Sequence, residues 1–562
     1  MTSLASLRGR AFIALLVSTS ACIIGFWVSI PPTYLTNDDV TIRRAIEGLT
    51  APGASPSGYV LMAHSLLGWA LAWSQHLTAT HTWDLVVASV LVCAIATALT
   101  IAWSLFDSVS ARALSMAAAL VVIAPLLSGM QFTISATLAG TAATTAIAME
   151  LLLPRPRKSL LFASAALLLF GVLVRPMSAA AGGMLSLALL TPAAISAQER
   201  RAFVAPRLAI AAVALAVLTG ALVYLDDAIY RLSPAWDAYH QDNWMLAWFF
   251  EWGGDLPTSQ VEPLRAQLGW SPNDWELLRR FWGVDPTIHS HERVETLYRS
   301  WSAMVQWRDR AGWMLERTAA ELKGPTVLRL FGDSRLALGV CAMVVLAFAS
   351  RRGLAAALGS TIIFYAACMA IEVVFKELPV RLFGPLQVGL VLAVLITSRL
   401  LSRPGASKRL TTLCAAAAVV LLVREVRAVG TEALANSRQS KETDAQVLDV
   451  LHQQPSLLLL HADSFPSEYW WRPFHTPPVA LNAIQLGMNN HNPYVQRFIA
   501  HAEREQLLHA ICTDPTILVV AEAGRLEPVT VFLRERYSMN VDWAAVYQGS
   551  FRVWRCSPGK PQ

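Results

Sequence analysis

Apolar residues in this chain collect in long uninterrupted runs, not in the period-two or period-3.6 pattern of a half-buried soluble element. Eleven runs of about 16 to 23 residues are each read as a membrane-crossing helix. Their limits are 11–30, 84–106, 113–128, 132–153, 159–175, 176–191, 208–227, 328–350, 353–375, 382–401 and 410–427. The runs at 113–128 and 176–191 are short for a full crossing. Polar sequence concentrates in three segments: 31–83, 228–327 and 428–562.

Charge orients the array. With the N-terminus in the cytoplasm, the short inside segments carry Arg8, Arg10, Arg112, Arg155, Arg157, Lys158, Arg200, Arg201, Arg207, Arg351, Arg352, Arg403, Lys408 and Arg409. Their only acids are Asp107 and Glu199, so every inside loop obeys the positive-inside rule. Residues 58–75 are apolar enough to span as well. Counting them would place Pro154-Arg-Pro-Arg-Lys158 outside, so they read as a helix lying along the outer interface, anchored by Trp69 and Trp73 and carrying His64. Leu16 to Cys22 faintly resembles a lipoprotein cleavage box. The apolar run continues to Ile30, however, so the segment reads as a retained span.

Composition agrees with this architecture. Of 562 residues, 55% are apolar and 15% charged, against about 25% charged in an ordinary soluble domain. A soluble cytosolic enzyme and a disordered chain are both excluded. The net charge of +6 resides largely in the short inside loops, so it carries no nucleic-acid reading. The fold expected is mainly α: a polytopic membrane domain over 1–427 and a small extracytoplasmic α/β domain over 428–562. In the latter, Ser456–Leu460 and Thr516–Val520 read as buried strands, Pro528–Tyr537 as a helix and Ala544–Trp554 as a strand pair. Cys512 and Cys556 share that compartment, where either a disulfide or two buried thiols fits.

Chemistry, by the same topology, faces outward. All twelve His fall in the three outer segments. The first of these opens with Thr36-Asn-Asp-Asp-Val40. One role for Asp38 and Asp39 is to meet the positive end of a helix that Asn37 caps, with Asp39 pairing to Arg43 on the surface. The other is a general base that takes a proton from an acceptor hydroxyl beside the membrane.

An acidic pair at the start of the first outer loop, followed by an interfacial helix, resembles the GT-C class of membrane glycosyltransferases. Within that class the chain resembles a bacterial polytopic family. The matching stretches are Asn37-Asp-Asp39, His64 to Trp73, Gln131-Phe-Thr-Ile-Ser135, Gly171-Val-Leu-Val-Arg-Pro176, Ser233-Pro-Ala-Trp236 through Asn243, and Leu378-Pro-Val-Arg381. The resemblance implies a polyprenyl-phosphate-linked sugar as donor, inverting transfer at an outward-facing site, and a first-loop Asp as base. The acceptor would be a glycan, lipid or protein. Some members of the class use a divalent metal, for which Asp38 and Asp39 are the candidate ligands here.

A polyprenyl-phosphate leaving group gains negative charge as the glycosidic bond breaks, so a cation at the outer interface would stabilise it. Arg175, Lys376 and Arg381 lie near the outer ends of their spans. Glu372 and Glu377 beside Lys376 leave an ion-pair cluster as one alternative, and snorkelling to the interface is the alternative for each of the three. The second outer loop holds ten of the 19 Trp, read chiefly as an interfacial belt. Trp244, Trp248 and Trp252 share one helical face, with Asp242 and Asn243 at its start, where they cap the helix or line the pocket. Asp242, Asn243, Trp244 and His64 are the candidate substrate-pocket residues. His289-Ser-His-Glu292 reads as a solvated loop, Asp226 and Asp227 as solvated span-end acids, and His461 with Asp463 as a weaker acceptor candidate. The chain has no P-loop, Rossmann fingerprint or HExxH motif. Other activities compatible with the topology are a lipid-linked glycan polymerase or ligase, a transporter, and a non-enzymatic envelope assembly protein.

Overall fold

The computed structural model describes residues 2–559 except 79–80, 152–156, 197–200, 248, 251–257, 286–287, 305–324, 376–378, 402–406, 462–463, 488 and 502–505. Among the described residues, seven helices are long and apolar enough to cross a membrane: Thr82–Ser104, Val109–Leu127, Phe132–Leu151, Pro176–Ser196, Pro206–Tyr230, Arg351–Val373 and Arg381–Leu400. Three shorter apolar helices, Ile13–Ser29, Lys158–Val174 and Arg335–Phe348, take three more of the predicted runs. The last run forms the first half of a 44-residue helix, Lys408–Leu451.

Three departures from the predicted elements are local. The run at 328–350 divides at Ser334, between Pro325–Asp333 and Arg335–Phe348. There the Ser334 hydroxyl donates back to the Leu330 carbonyl at 2.6 Å and also bonds the Tyr365 hydroxyl. The boundary expected at 427/428 lies inside the Lys408–Leu451 helix, because the sequence past the apolar run contains no Pro and draws on Ala, Leu, Glu and Gln, all strong helix formers. The helix expected over 58–75 begins only at Ser65. His64 therefore precedes it and does not lie on its interfacial face.

Phe132–Leu151 is the central helix, buried along nearly its whole length. Its Ala, Thr and Gly positions let neighbours approach closely, as small residues do between membrane helices. A Cβ on Gly140 would collide with the Ala179 carbonyl, and one on Gly182 with the Thr137 carbonyl.

The C-terminal region forms a five-stranded sheet in the order β2-β1-β3-β5-β4. The strands are β1 Leu457–Leu460, β2 Ala483–Gln485, β3 Ile517–Val520, β4 Val541–Gln548 and β5 Arg552–Pro558. β1 pairs in parallel with β2 and β3, while β5 pairs antiparallel to both β3 and β4. All four residues of β1 and of β3 are buried, as continuous apolar runs require of strands covered on both faces. Alternation then decides which layer each joins. Leu458, Leu460, Leu518 and Val520 pack into the core shared with the membrane helices. Leu457, Leu459, Ile517 and Val519 pack with Trp270, Trp282 and Trp301 of the second outer loop. The sheet is thus the middle layer between the membrane domain and that loop. The Trp-rich segment accordingly departs from the expected belt: these three Trp are buried against protein, while Trp244 is exposed.

Cys512, on the helix Leu507–Thr513, and Cys556, on β5, are joined by a disulfide with their Cα atoms 4.5 Å apart. The other five cysteines are free. Alkylation of the denatured protein without reductant is expected to label five cysteines, and after reduction all seven. Seven labels without reductant would remove both the bond and the oxidising compartment it implies.

Candidate active site

The acidic pair lies in the first turn of the helix Asn37–Glu47. Thr36, not Asn37, takes the N-cap position, with extended backbone and no side-chain cap bond. Gly48 ends the helix at φ +74°, the left-handed conformation that lets its N–H return to Ala45. A side chain at Gly48 would also meet Pro56.

This helix is placed by a short strip of backbone pairing. Tyr34 bridges Met130 in parallel; Leu35 N–H donates to the Met130 carbonyl at 3.2 Å and Met130 N–H to the Thr33 carbonyl at 2.9 Å. The strip brings Asn37-Asp-Asp39 against Gln131-Phe-Thr-Ile-Ser135, where the central helix begins. The Phe132 N–H donates to Asp39 Oδ1 at 3.1 Å. Asp39 is wholly buried, and burial, reinforced by the neighbouring Asp38, pushes its carboxyl well above the usual range.

Asp38 has a different environment. It retains some exposure, and Arg381 Nη1 donates to its Oδ2 at 2.9 Å across 343 residues of sequence. Arg175 reaches the same neighbourhood from the end of Lys158–Val174. Its guanidinium carbon lies 4.8 Å from the centre of the Phe132 ring, the residue whose amide holds Asp39. Lys376 lies outside the described residues. Two of the three cationic candidates therefore stand around the acidic pair: one on Asp38, one on the residue bonded to Asp39.

The fit for a divalent cation is poor. Asp38 Oδ2 already accepts from a cation, Asp39 is enclosed with an amide on Oδ1, and among the described residues no three His, Cys, Asp or Glu assemble as a metal set.

The substrate-pocket candidates distribute differently. His64 is buried; its Nδ1 accepts from the Leu66 N–H at 3.1 Å, so Nε2 carries the proton donated to the Leu222 carbonyl at 2.9 Å. Asp226, expected to be merely solvated, accepts from the Ser65 N–H and hydroxyl at 2.7 and 2.5 Å, fixing the start of the next helix. Asp242 and Asn243 lie two turns inside Pro234–Ala247, so neither caps it. The Asn243 amide donates back to the Tyr239 carbonyl. Buried Asp242 accepts from His291 Nδ1 at 2.7 Å and His491 Nδ1 at 2.6 Å, while His491 Nε2 donates to the Gly283 carbonyl at 3.0 Å. Asp242 thus joins the second outer loop to the C-terminal sheet region. Trp244 is exposed on the same helix, and Trp248 and Trp252 lie outside the described residues. Nor is His289 in a solvated loop: it is buried, donates from Nε2 to the Asp274 carbonyl, and is pushed down to about 4 by burial. His461 is buried beneath the Arg280 carbonyl, and Asp463 lies outside the described residues.

A buried network beside the site has no counterpart in the sequence reading. Arg43 was expected to pair with Asp39 on the surface; it is buried instead, with Nε on Glu47 at 2.9 Å and Nη1 at 3.6 Å from Asp84. Nη1 also donates to the Arg472 carbonyl at 2.5 Å, and Nη2 to the His475 carbonyl at 2.8 Å, both in the C-terminal domain. The Tyr34 hydroxyl also donates to Asp84. Burial works against ionising Glu47, but its bonds to His81 and Arg43 prevail and hold its carboxyl below the usual range. Residue type alone did not mark Arg43 or Asp84, since an Arg on an amphipathic helix ordinarily faces water.

No family model matches the chain, and no curated protein matches it. Two solved structures align over nearly its full length. ArnT from Cupriavidus metallidurans in the apo state covers 98% of this chain and of its own at 12% identity, with a TM-score of 0.40. The same protein bound to undecaprenyl phosphate covers 99% of this chain and 98% of its own at 13% identity, with a TM-score of 0.38. The residues of the site, not this likeness, carry the functional reading.

Proposed function

We propose that the chain is an integral-membrane glycosyltransferase of the GT-C kind, moving a sugar from a polyprenyl-phosphate donor to an acceptor hydroxyl on the extracytoplasmic face. The observation that carries this reading is the pairing of Asp38 with Arg381. It sets a carboxylate and a guanidinium side by side near the outer ends of the helices, the two groups such a reaction needs. Asp38, partly exposed, is the general base; Asp39, enclosed on Phe132, is a positioning residue. One Arg381 donor is on Asp38, which leaves the rest of the fork for phosphate oxygens. Arg175 supplies the second positive charge, and Lys376 is a third candidate.

In the reaction the acceptor oxygen attacks the sugar C1 in line, with inversion. The C1–O bond to phosphate breaks, the acceptor proton passes to Asp38, and polyprenyl phosphate leaves carrying the electron pair beside Arg381 and Arg175. The membrane is the bacterial inner membrane, with the N-terminus cytoplasmic and the C-terminal domain outside. The charge asymmetry of the loops supports this orientation, as does the Cys512–Cys556 bond.

Mass spectrometry of envelope glycans and lipid-linked sugars from wild-type and deletion cells tests the reading. One glycan is expected to lose a fixed sugar mass on deletion while the matching polyprenyl-phosphate sugar accumulates. Unchanged glycans and donor pools would refute it.

A further inference from the structure

A cleft of about 860 Å³ opens between the C-terminal sheet and the first outer loop. That volume is within the range of ligand pockets, roughly 300–1,000 Å³. Its position follows from the sheet topology. The chain leaving β1 passes to the face that packs on the membrane helices, carrying Trp470, whereas the chain leaving β3 passes to the opposite face through the helix Ala523–Tyr537. The two loops diverge, and a crevice remains at the carboxyl ends of adjacent parallel strands. Such switch points are where open α/β sheets bind ligands. Leu35, Thr36 and Asn37, the three residues that precede Asp38 in the chain, also line it.

The lining is polar above an aromatic floor. Glu468 and Glu522 contribute carboxyl groups, Ser464 and Ser550 hydroxyls, and Arg552 a guanidinium, while Phe465 and Phe551 meet edge to face below them. Burial pushes the Glu468 carboxyl above its usual range. Carboxyl and hydroxyl groups accept from the vicinal hydroxyls of a sugar ring, and an aromatic floor meets its C–H face. We propose that this cleft binds the acceptor, that the acceptor is a carbohydrate, and that the cleft delivers its hydroxyl to Asp38. The inference rests on the transferase reading and adds the acceptor class and its site.

The test uses the full-length protein in its own cells. A photoreactive phenylalanine analogue is placed at exposed Ser550, in the Asp38→Asn, Asp39→Asn background so that bound acceptor is not turned over; the same analogue at Leu434, exposed on the long helix, is the control. Adducts are probed by periodate oxidation with hydrazide tagging, and by mass spectrometry. A carbohydrate-bearing adduct is expected at Ser550 and none at Leu434. Adding Glu522→Ala should lower the yield about fivefold, the loss of one hydrogen bond's net contribution. An adduct of peptide or lipid without sugar, equal yields at both positions, or no adduct at Ser550 would overturn the inference. Glycans of the same cells separate the two claims. If that background abolishes the glycan and no adduct forms, the cleft assignment alone falls. If the glycan persists while the sugar adduct forms, the transferase mechanism falls and the cleft remains a carbohydrate site.

Discussion

Asp38→Asn is expected to reduce transfer by about 10²- to 10⁴-fold, the usual worth of a positioned general base, with protein level unchanged. The amide is isosteric and still accepts from Arg381 Nη1, so the loss would report the missing negative charge and proton acceptor, not a lost contact. Asp39→Asn should be milder, because the buried carboxyl already favours its neutral form and Asn Oδ1 can still accept the Phe132 N–H. Its signature lies in stability against pH. A carboxyl whose folded-state pKa is raised binds its proton more tightly folded than unfolded, so stability falls as pH rises between the ordinary and the raised value. Asp39→Asn should flatten that decline in a thermal-midpoint series. Transfer retained by both single variants, measured as sugar incorporated at matched protein level, would remove the acidic pair from the chemistry.

The second large effect is expected on the folded state. Arg43→Met should destabilise the protein by about 3–5 kcal/mol, the range for removing one partner of a buried ion pair. The substitution would leave Asp84 and Glu47 enclosed without their cation, and the carbonyls of Arg472 and His475 without their donor. Arg43→Lys should recover little, since an ammonium cannot span four directions as a planar fork does. Because two of those directions lead into the C-terminal domain, the variant should also expose that domain to proteolysis. A purified Arg43→Met protein with wild-type thermal midpoint and wild-type protease resistance would show that the network is dispensable.

These effects differ in how far the sequence announced them. Asp38 and Asp39 stood out because adjacent carboxylates beside a membrane span are costly unless solvated or used, and Arg381 because a phosphate leaving group at the outer interface would need a cation there. Arg43 looked like half of a surface pair. One true partner, Glu47, lies four positions on, within reach of a local rule; the others are Asp84, 41 positions on, and carbonyls beyond residue 470, separations that no local rule spans. Asp242 was legible as polar and near an aromatic helix. That it joins His291 to His491 was not, because His291 seemed loop-bound and His491 belongs to another domain.

By itself the sequence determined the helices, since about 20 consecutive apolar residues have one low-energy conformation in lipid. It also determined β1, β3 and the β4–β5 pair, and the charge asymmetry on which the proposed orientation rests. Tertiary structure alone decided that Arg381 meets Asp38, that Arg43 turns inward, that His64 and His289 are enclosed, and that Trp270, Trp282 and Trp301 pack on the sheet. The physical reason is range. Hydropathy and propensity act over one or two turns, whereas a charge finds its partner only after helices hundreds of residues apart have been set against one another by packing.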